Sequence, residues 1–321
     1  MIPGVPSDSA PARTARSLRR VGPPEPLPPR EMDPLLLAAL AEDLGGEVDP
    51  DRDVTSSNVV PKEARARGRL VAKSTGVLAG LPMFARVFEL LDPAVRVEWL
   101  AADGERLAPG RELLRIEGQA RALLVGERTA LNVIQRLSGI ASATARFVDL
   151  VKGRARVLDT RKTTPGRRRF DRYAVRCGGG ENHRYGLFDE AMVKNNHLDL
   201  AGLPLSAVLA RLRERAGPHL AITAEARDLA EAEEAVRGGA DVLLLDNFTP
   251  QRLAQVLPGL RALAAERGRS VEFEASGGID ATSAEAFAES GVDRLSIGAL
   301  THSAPSLDLS FYLEPIAGGL E

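Results

Sequence analysis

The sequence has few of the features that mark several protein classes. One cysteine among 321 residues excludes an intrachain disulfide framework and is typical of a protein in a reducing compartment. No apolar run approaches the roughly 18 residues that cross a bilayer. The 42 lysines and arginines are balanced by 44 aspartates and glutamates, so the net charge of −2 argues against nucleic-acid or anionic-membrane binding. We expect a cytoplasmic protein with no nucleic-acid partner and no membrane partner.

The first 31 residues differ in composition from the rest of the chain. They are rich in proline and arginine, contain no aromatic residue and show neither helical nor strand periodicity. We predict a disordered extension over residues 1–31. A helix is predicted over 34–44, followed by short strands whose turns carry Asp-Pro, Asp-Gly and Pro-Gly pairs. Together these elements predict a small α+β domain over roughly residues 32–120.

The pattern then changes to one long helix followed by alternating strands and helices. Apolar residues recur at the helical period over 122–151, where Gly139 is a candidate for a bend. Alternating elements predict a parallel sheet with right-handed crossovers. Because a complete barrel has eight strands, six predict an incomplete or irregular α/β barrel. The predicted strands are 155–159, 191–194, 220–225, 241–246, 271–275 and 294–297.

Polar residues lie at the ends of these predicted strands, where parallel barrels place their active sites. Arginine binds carboxylates and phosphates through paired hydrogen bonds, whereas lysine is a compact point charge. Because the chain as a whole is not basic, a local group of cations indicates a small polyanionic ligand. The predicted cation group is Arg161, Lys162, His183, Arg184 and Lys194.

Two acidic residues end neighbouring predicted strands. Glu225 and Asp246 are expected at one rim, where they could hold Mg²⁺ on a diphosphate or face a developing positive charge. The alternative is that they only neutralise adjacent cations. Either role places them in the site, because an unpaired buried carboxylate is costly.

Glycines follow the last two predicted strands. Ser276, Gly277 and Gly278 come after one strand and Gly298 after the other. Barrel enzymes often bind a phosphate group at these two loops, through backbone N–H groups. Tight turns alone would also explain each glycine. Their occurrence at consecutive strand ends favours phosphate. The residues thus indicate two anionic substrates: a phosphorylated sugar with a pyrophosphate leaving group, and a compact carboxylated molecule.

Other polar residues carry weaker signals. The run 167–169 is three arginines, which is more typical of a solvated loop than of ligand contacts. His197, His219 and His302 lack metal-ligand spacing, so we interpret them as structural or as local hydrogen-bond partners. Cys177 lies beside a glycine triplet without a nearby base in sequence, which argues against a nucleophilic role.

Six ordered segments resemble one family over almost all of the chain from residue 34 to 313. That family is quinolinate phosphoribosyltransferase. The segments are GERTALNVIQRLSGIAS (126–142), DTRKTTPGRR (159–168), YAVRCGGGENHRYGLFDEAMVKNNH (173–197), LLLDNF (243–248), FEASGGI (273–279) and SIGALTHSAPSLDLS (296–310).

The resemblance implies a fold, an assembly and a reaction. It implies an N-terminal α/β sandwich over 32–127, to which 303–315 returns, and a catalytic α/β barrel over 128–302. It implies a homodimer with shared active sites, and leaves open whether dimers form hexamers. The implied reaction joins quinolinate to phosphoribosyl pyrophosphate, with Mg²⁺, and yields nicotinate mononucleotide, pyrophosphate and CO2.

The resemblance also implies roles for individual residues. Arg161, His183 and Arg184 would bind the quinolinate carboxylates, and Lys162 and Lys194 would serve both substrates. Arg128 would come from the other subunit. Glu225 and Asp246 would face the ribose and the Mg²⁺-diphosphate, with Lys162 and Lys194 counted with them as catalytic. The 5′-phosphate would be bound by Ser276, Gly277, Gly278 and Gly298.

One departure from the family pattern bears on the acids, and other functions remain open. Thr223 stands where the family usually has a second acid, two residues before Glu225. A ModD-like paralogue of the same fold would act on another acceptor. A Schiff-base aldolase would use Lys194 or Lys162. A catalytically inactive barrel would have lost several of the rim residues that this chain retains.

Overall fold

The computed structural model describes residues 24–217 and 219–316. The described chain divides into two compact units. We call 151–156 with 184–295 the parallel-sheet unit, and 24–150 with 157–183 and 296–316 the antiparallel-sheet unit. The first 23 residues of the predicted extension lie outside the described ranges. The domain boundaries predicted after residues 31, 127 and 302 stay a prediction.

The elements follow the predicted order. In the described ranges the helices are α1 (Pro29–Leu44), α2 (Val54–Val59), α3 (Leu81–Leu91), α4 (Ala120–Val151), α5 (Arg168–Cys177), α6 (Asn195–Ala201), α7 (Leu205–Ala216), α8 (Leu229–Gly238), α9 (Pro250–Glu266), α10 (Ala284–Glu289) and α11 (Ala299–His302). The strands are β1 (Arg65–Ala72), β2 (Gly76–Val77), β3 (Arg96–Trp99), β4 (Arg106–Leu107), β5 (Glu112–Gln119), β6 (Arg156–Leu158), β7 (Ala191–Val193), β8 (Ile222–Ala226), β9 (Val242–Asp246), β10 (Glu272–Ser276), β11 (Arg294–Ser296) and β12 (Leu309–Pro315).

The antiparallel-sheet unit contains a four-stranded sheet in the order β12-β1-β5-β3. Alternate β1 side chains are buried, as expected where one sheet face meets a core. Phe84 and Phe88 on α3 pack edge-on or tilted against Phe311 on β12, each with ring centroids 5.4 Å apart. Strand β12 pairs antiparallel with β1 from Leu309 to Pro315, so the end of the described chain forms an edge of this sheet.

Two helices of this unit differ from the sequence prediction. Helix α1 begins at Pro29, five residues earlier than predicted, with a proline at a position that requires no N–H donor. Pro34 therefore lies inside the helix rather than at its start. Helix α4 runs unbroken, so Gly139 does not divide it. A Cβ at Gly139 would lie 2.0 Å from the Pro305 carbonyl oxygen, so the glycine permits close backbone packing.

The parallel sheet has six strands in the order β6-β11-β10-β9-β8-β7. Each lies within two residues of its predicted bounds, and the prediction of an α/β fold with an incomplete barrel is confirmed. In the described residues β6 and β7 are edge strands, so the sheet does not close. Residues Val242 to Leu245 of β9 are all buried, as in strands covered on both faces. No helix of the described ranges combines the length and apolarity needed to cross a membrane.

Candidate active site

The parallel-sheet unit brings four predicted site residues to one sheet edge. Glu225 pairs in register with Leu244, and Ser276 with Asp246, at or near the carboxyl ends of β8, β9 and β10. Lys194 follows directly after β7. Its Nζ lies 2.5 Å from Glu225 Oε2, and the two side chains are 47% and 11% exposed. The edge therefore presents an accessible cation against a largely buried carboxylate.

The loops after β9 and β10 contact each other through their backbones. The Asn247 N–H donates to the Ser276 carbonyl at 2.9 Å, and its Nδ2 donates to Asp246 Oδ2 at 2.8 Å. Gly277 has φ +95°, and a Cβ there would lie 2.2 Å from Asn247 Oδ1. The tight turn alone thus requires glycine at 277, and it brings the backbone after β10 close to the carboxylate that ends β9.

The antiparallel-sheet unit holds a second group of predicted residues. Arg161 and Lys162 are exposed after β6, and no hydrogen bond or ion pair engages the Arg161 guanidinium in the described part of the chain. The Thr301 hydroxyl donates to the Lys162 carbonyl at 2.7 Å. A Cβ at Gly298 would lie 3.1 Å from Lys162 Cδ, so these two predicted residues are neighbours. The backbone at Lys162 is anchored while its ammonium stays accessible.

His183 is held by a buried acid that sequence reasoning did not assign to the site. Asp159 is fully buried, and its carboxylate accepts the His183 N–H at 2.7 Å and Asn182 Nδ2 at 2.6 Å. Burial raises the pKa of Asp159, whereas Arg172, 3.6 Å away, and the hydrogen bonds oppose this rise. Arg172 Nη1 also donates to the His183 carbonyl at 2.6 Å. The position of Asp159 at the end of a buried strand was the available sequence signal.

The remaining predicted residues have less defined surroundings. Arg184 Nη1 donates to the Glu190 carbonyl at 3.0 Å. Arg128 is exposed on α4, beside Thr129, whose hydroxyl donates to Asp43 at 3.0 Å. The role of Arg128 in another subunit stays a prediction.

Residues interpreted as non-catalytic have local partners. The Lys194 N–H donates to His197 Nδ1 at 2.9 Å, so the imidazole caps the start of α6. Cys177 is buried, and this burial raises the pKa of its thiol, which is unfavourable for a nucleophile. Arg169 Nη1 lies 2.5 Å from Glu31 Oε2 and is therefore engaged in an ion pair.

Glu225 and Asp246 are the candidate ligands for Mg²⁺ at this sheet edge. Within the described ranges, no group of three or more His, Cys, Asp or Glu side chains could hold a metal ion. Glu225 already contacts Lys194. Mg²⁺ in enzymes commonly binds one or two carboxylates together with substrate phosphates and water. Glu225 and Asp246 fit that arrangement and do not fit a metal cage formed by protein alone.

Fold and site together define an α/β enzyme for small anionic substrates, with cations, acids and glycine turns after parallel strands. Two family models match consecutive parts of the chain: the quinolinate phosphoribosyl transferase N-terminal domain over residues 53–138 and the C-terminal domain over 140–312. The chain belongs to the quinolinate phosphoribosyltransferase family.

Individual relatives agree with this assignment. The chain is 39% identical to the nicotinate-nucleotide pyrophosphorylase [carboxylating] of Rattus norvegicus over 89% of this chain and 92% of the rat protein. It is 40% identical to a probable enzyme of the same name from Bacillus subtilis, over 80% and 86%. The solved structure of NadC from Streptococcus pyogenes superposes with a TM-score of 0.83 at 41% identity, covering 91% of this chain and all of that one.

Proposed function

We propose that this chain transfers the phosphoribosyl group of phosphoribosyl pyrophosphate to quinolinate and releases CO2, pyrophosphate and nicotinate mononucleotide. The observation that carries the proposal is the sheet edge on which Lys194 contacts Glu225, beside the Asp246 and Ser276 strand ends. It supplies a cation and two acids for one small, charged reaction centre. Membership of the family and its relatives' names supply the substrates.

Quinolinate is a dicarboxylate, and the cations suit it chemically. We assign Arg161, His183 and Arg184 to its two carboxylates, because guanidinium groups bind carboxylates through paired hydrogen bonds. Lys162 and Lys194 serve both the dicarboxylate and the phosphoribosyl donor. The exposed Arg161 guanidinium supports this assignment, because it has no ion pair with any described residue that must break before the ligand binds.

The chemistry requires charge placement rather than a covalent nucleophile. The pyridine nitrogen attacks the anomeric carbon as the bond to pyrophosphate breaks, through an oxocarbenium-like state. Glu225 and Asp246 face this positive charge. Glu225 and Asp246 would hold a Mg²⁺ ion that the donor diphosphate brings, and that ion would supply charge neutralisation at the leaving group. The cationic ring then stabilises the carbanion left when the adjacent carboxylate departs as CO2, and this carbon takes up a proton.

The 5′-phosphate is assigned to the glycine turns. Ser276 ends β10, Gly277 and Gly278 follow it, and Gly298 follows β11. Positive φ angles of 95° and 62° at Gly277 and Gly278 support a backbone that a phosphate can approach closely.

Assembly and location are further parts of the proposal. We propose a homodimer in which Arg128 serves the site of the other subunit, and its exposed position on α4 supports this. Light scattering during size-exclusion chromatography measures the mass and distinguishes dimer from hexamer. We also propose a cytoplasmic location, which the single, buried, unpaired cysteine supports. A relative from rice is named chloroplastic, so fractionation with organelle markers is the direct test.

A turnover assay tests the proposal. Purified chain with phosphoribosyl pyrophosphate and Mg²⁺ is expected to form nicotinate mononucleotide from quinolinate and none from nicotinic acid. If neither quinolinate nor nicotinic acid gives product while the protein still binds phosphoribosyl pyrophosphate, the ModD-like alternative is favoured instead. Lys194 argues against an aldolase: a Schiff-base lysine is typically desolvated and neutral, whereas Lys194 is half-exposed and contacts a carboxylate.

A further inference from the structure

The Lys194–Glu225 pair lies above a second cross-strand pair. Side chains alternate along a strand, so Thr223 and Glu225 share one face of β8. By the same rule Glu190, directly before β7, shares a face with Lys194, directly after it. Strands β7 and β8 are parallel and in register, with Met192 opposite Thr223. On that face Lys194 stands opposite Glu225. Glu190 lies four residues earlier on its strand, opposite Ala221, and its side chain reaches forward to the Thr223 hydroxyl, two residues or roughly 6.6 Å before Glu225 along β8.

The lower pair is buried. Thr223 is fully buried and Glu190 is 7% exposed, and the Thr223 hydroxyl donates to Glu190 Oε1 at 2.6 Å. The carbonyl of Glu190 accepts a hydrogen bond from Arg184 Nη1, one of the residues assigned to quinolinate. A buried carboxylate is costly and is normally hydrogen-bonded, so the placement of this one against Thr223, two residues before Glu225, calls for a reason.

The reason lies in the departure at residue 223. The resemblance implies an acid at this place on β8, where this chain has Thr223, and the Thr223 hydroxyl instead holds a carboxylate that reaches β8 from the neighbouring strand. We infer that Glu190 supplies the second acid of the site, held in place by Thr223, and acts as a positioning residue beneath the Lys194–Glu225 pair. This inference rests on the proposed function.

The expected effect falls on turnover rather than on ground-state binding. The negative charge of Glu190 lies below Glu225, on the face that meets the developing positive charge of the ribose. An interaction that is stronger in the transition state than in the bound substrate changes kcat more than KM. Glu190→Gln keeps the shape and an acceptor for Thr223 and removes only the charge. It is expected to lower kcat about tenfold, with both KM values within about threefold of wild type.

A transfer of the acid provides the sharper test. Glu190→Ala is expected to lose at least as much turnover as Glu190→Gln. Adding Thr223→Glu to Glu190→Ala places the acid back on β8, and we expect kcat to recover at least fivefold over the single variant. Thr223→Ser keeps the hydroxyl donor and is expected to remain near wild type. Glu233→Gln, which alters an exposed acid paired with Arg237 on α8, is the matched control.

The experiment measures kcat and both KM values with quinolinate and phosphoribosyl pyrophosphate, alongside thermal melting of each full-length variant. Recovery by the double variant, with Glu190→Gln folded and slow, supports the inference. A folded Glu190→Gln with wild-type kcat overturns it, as does a double variant that regains stability without turnover. If Glu190→Gln melts at a lower temperature than wild type, the kcat of the Glu190→Ala, Thr223→Glu double variant decides whether the inference holds. If the wild-type protein is inactive on quinolinate, the proposed function is refuted and this inference with it. If the wild type is active and Glu190→Gln is equally active, only the inference is refuted.

Discussion

The two units hold their functional groups in different ways. In the parallel-sheet unit, Lys194 and Glu225 follow from strand register and contact each other directly at 2.5 Å. In the antiparallel-sheet unit, Arg161 lacks a partner among the described residues, and His183 depends on the buried carboxylate of Asp159. The first unit presents a cation that is already paired with an acid, whereas the second presents an exposed arginine without a partner among the described residues and a buried histidine whose backbone is held by a carboxylate. Under the proposed function, the paired edge would face the reacting ribose, and the exposed arginine would bind a substrate carboxylate.

Removing Arg161, which has no ion-pair partner within residues 24–217 and 219–316, is expected to have the largest effect. Arg161→Ala should lower kcat/KM for quinolinate roughly 100-fold, because hydrogen bonds to charged groups contribute about 1.5–3 kcal/mol each. Steady-state kinetics with quinolinate varied measures the change. Arg106→Ala, an exposed arginine of the same unit that contacts Asp149 at 2.7 Å, is the matched control and should remain near wild type. Near wild-type kcat/KM for Arg161→Ala would contradict its role.

A smaller effect is expected at Asp159 in the same unit, because this residue acts on the ligand only by positioning His183. Asp159→Asn keeps the size of the side chain but can donate where the carboxylate accepts the His183 N–H and Asn182 Nδ2. We expect the KM for quinolinate to rise about tenfold and the free energy of unfolding to fall by about 1–3 kcal/mol, the cost of a lost buried hydrogen bond. Kinetics and denaturant titration measure both. An unchanged KM for quinolinate together with lost stability would restrict Asp159 to a structural role.

Two adjacent glycines after β10, in the parallel-sheet unit, test how closely the loops after β9 and β10 pack together. Gly277→Ala would place a Cβ 2.2 Å from Asn247 Oδ1, whereas Gly278→Ala would meet no atom within 4 Å. Both have positive φ and share a backbone penalty of about 1–2 kcal/mol. Gly277→Ala should lose a further 1–3 kcal/mol or so of stability through overpacking. Denaturant melts of the two variants measure the difference, and equal losses would show that the contact with Asn247 relaxes freely.

The elements that the sequence predicts correctly are those that a local pattern determines. The Thr249-Pro250 start of α9 was readable because a side-chain oxygen caps the amide of Arg252 and proline suits the first turn. The six parallel strands were readable because each is a short apolar run. Residues whose importance depends on a distant partner were missed. Neither Asp159 nor Glu190 has a local signal for His183 or Thr223 as its partner, since 24 and 33 residues separate them.

The smallest predicted effect concerns the loop after the glycine turn. The Asp280 carboxylate accepts hydrogen bonds from the Thr282 and Ser283 side chains and amides, which lower its pKa from the usual 3.8 to about 2. A lowered pKa in the folded state stabilises the protein above the unfolded pKa, and this contribution is lost as the pH falls toward 2. Asp280→Asn should therefore melt slightly below wild type at pH 7, and this gap should close between about pH 4 and pH 2. Melting curves across that range measure it, and a gap that stays constant with pH would show that the hydrogen bonds act without the charge.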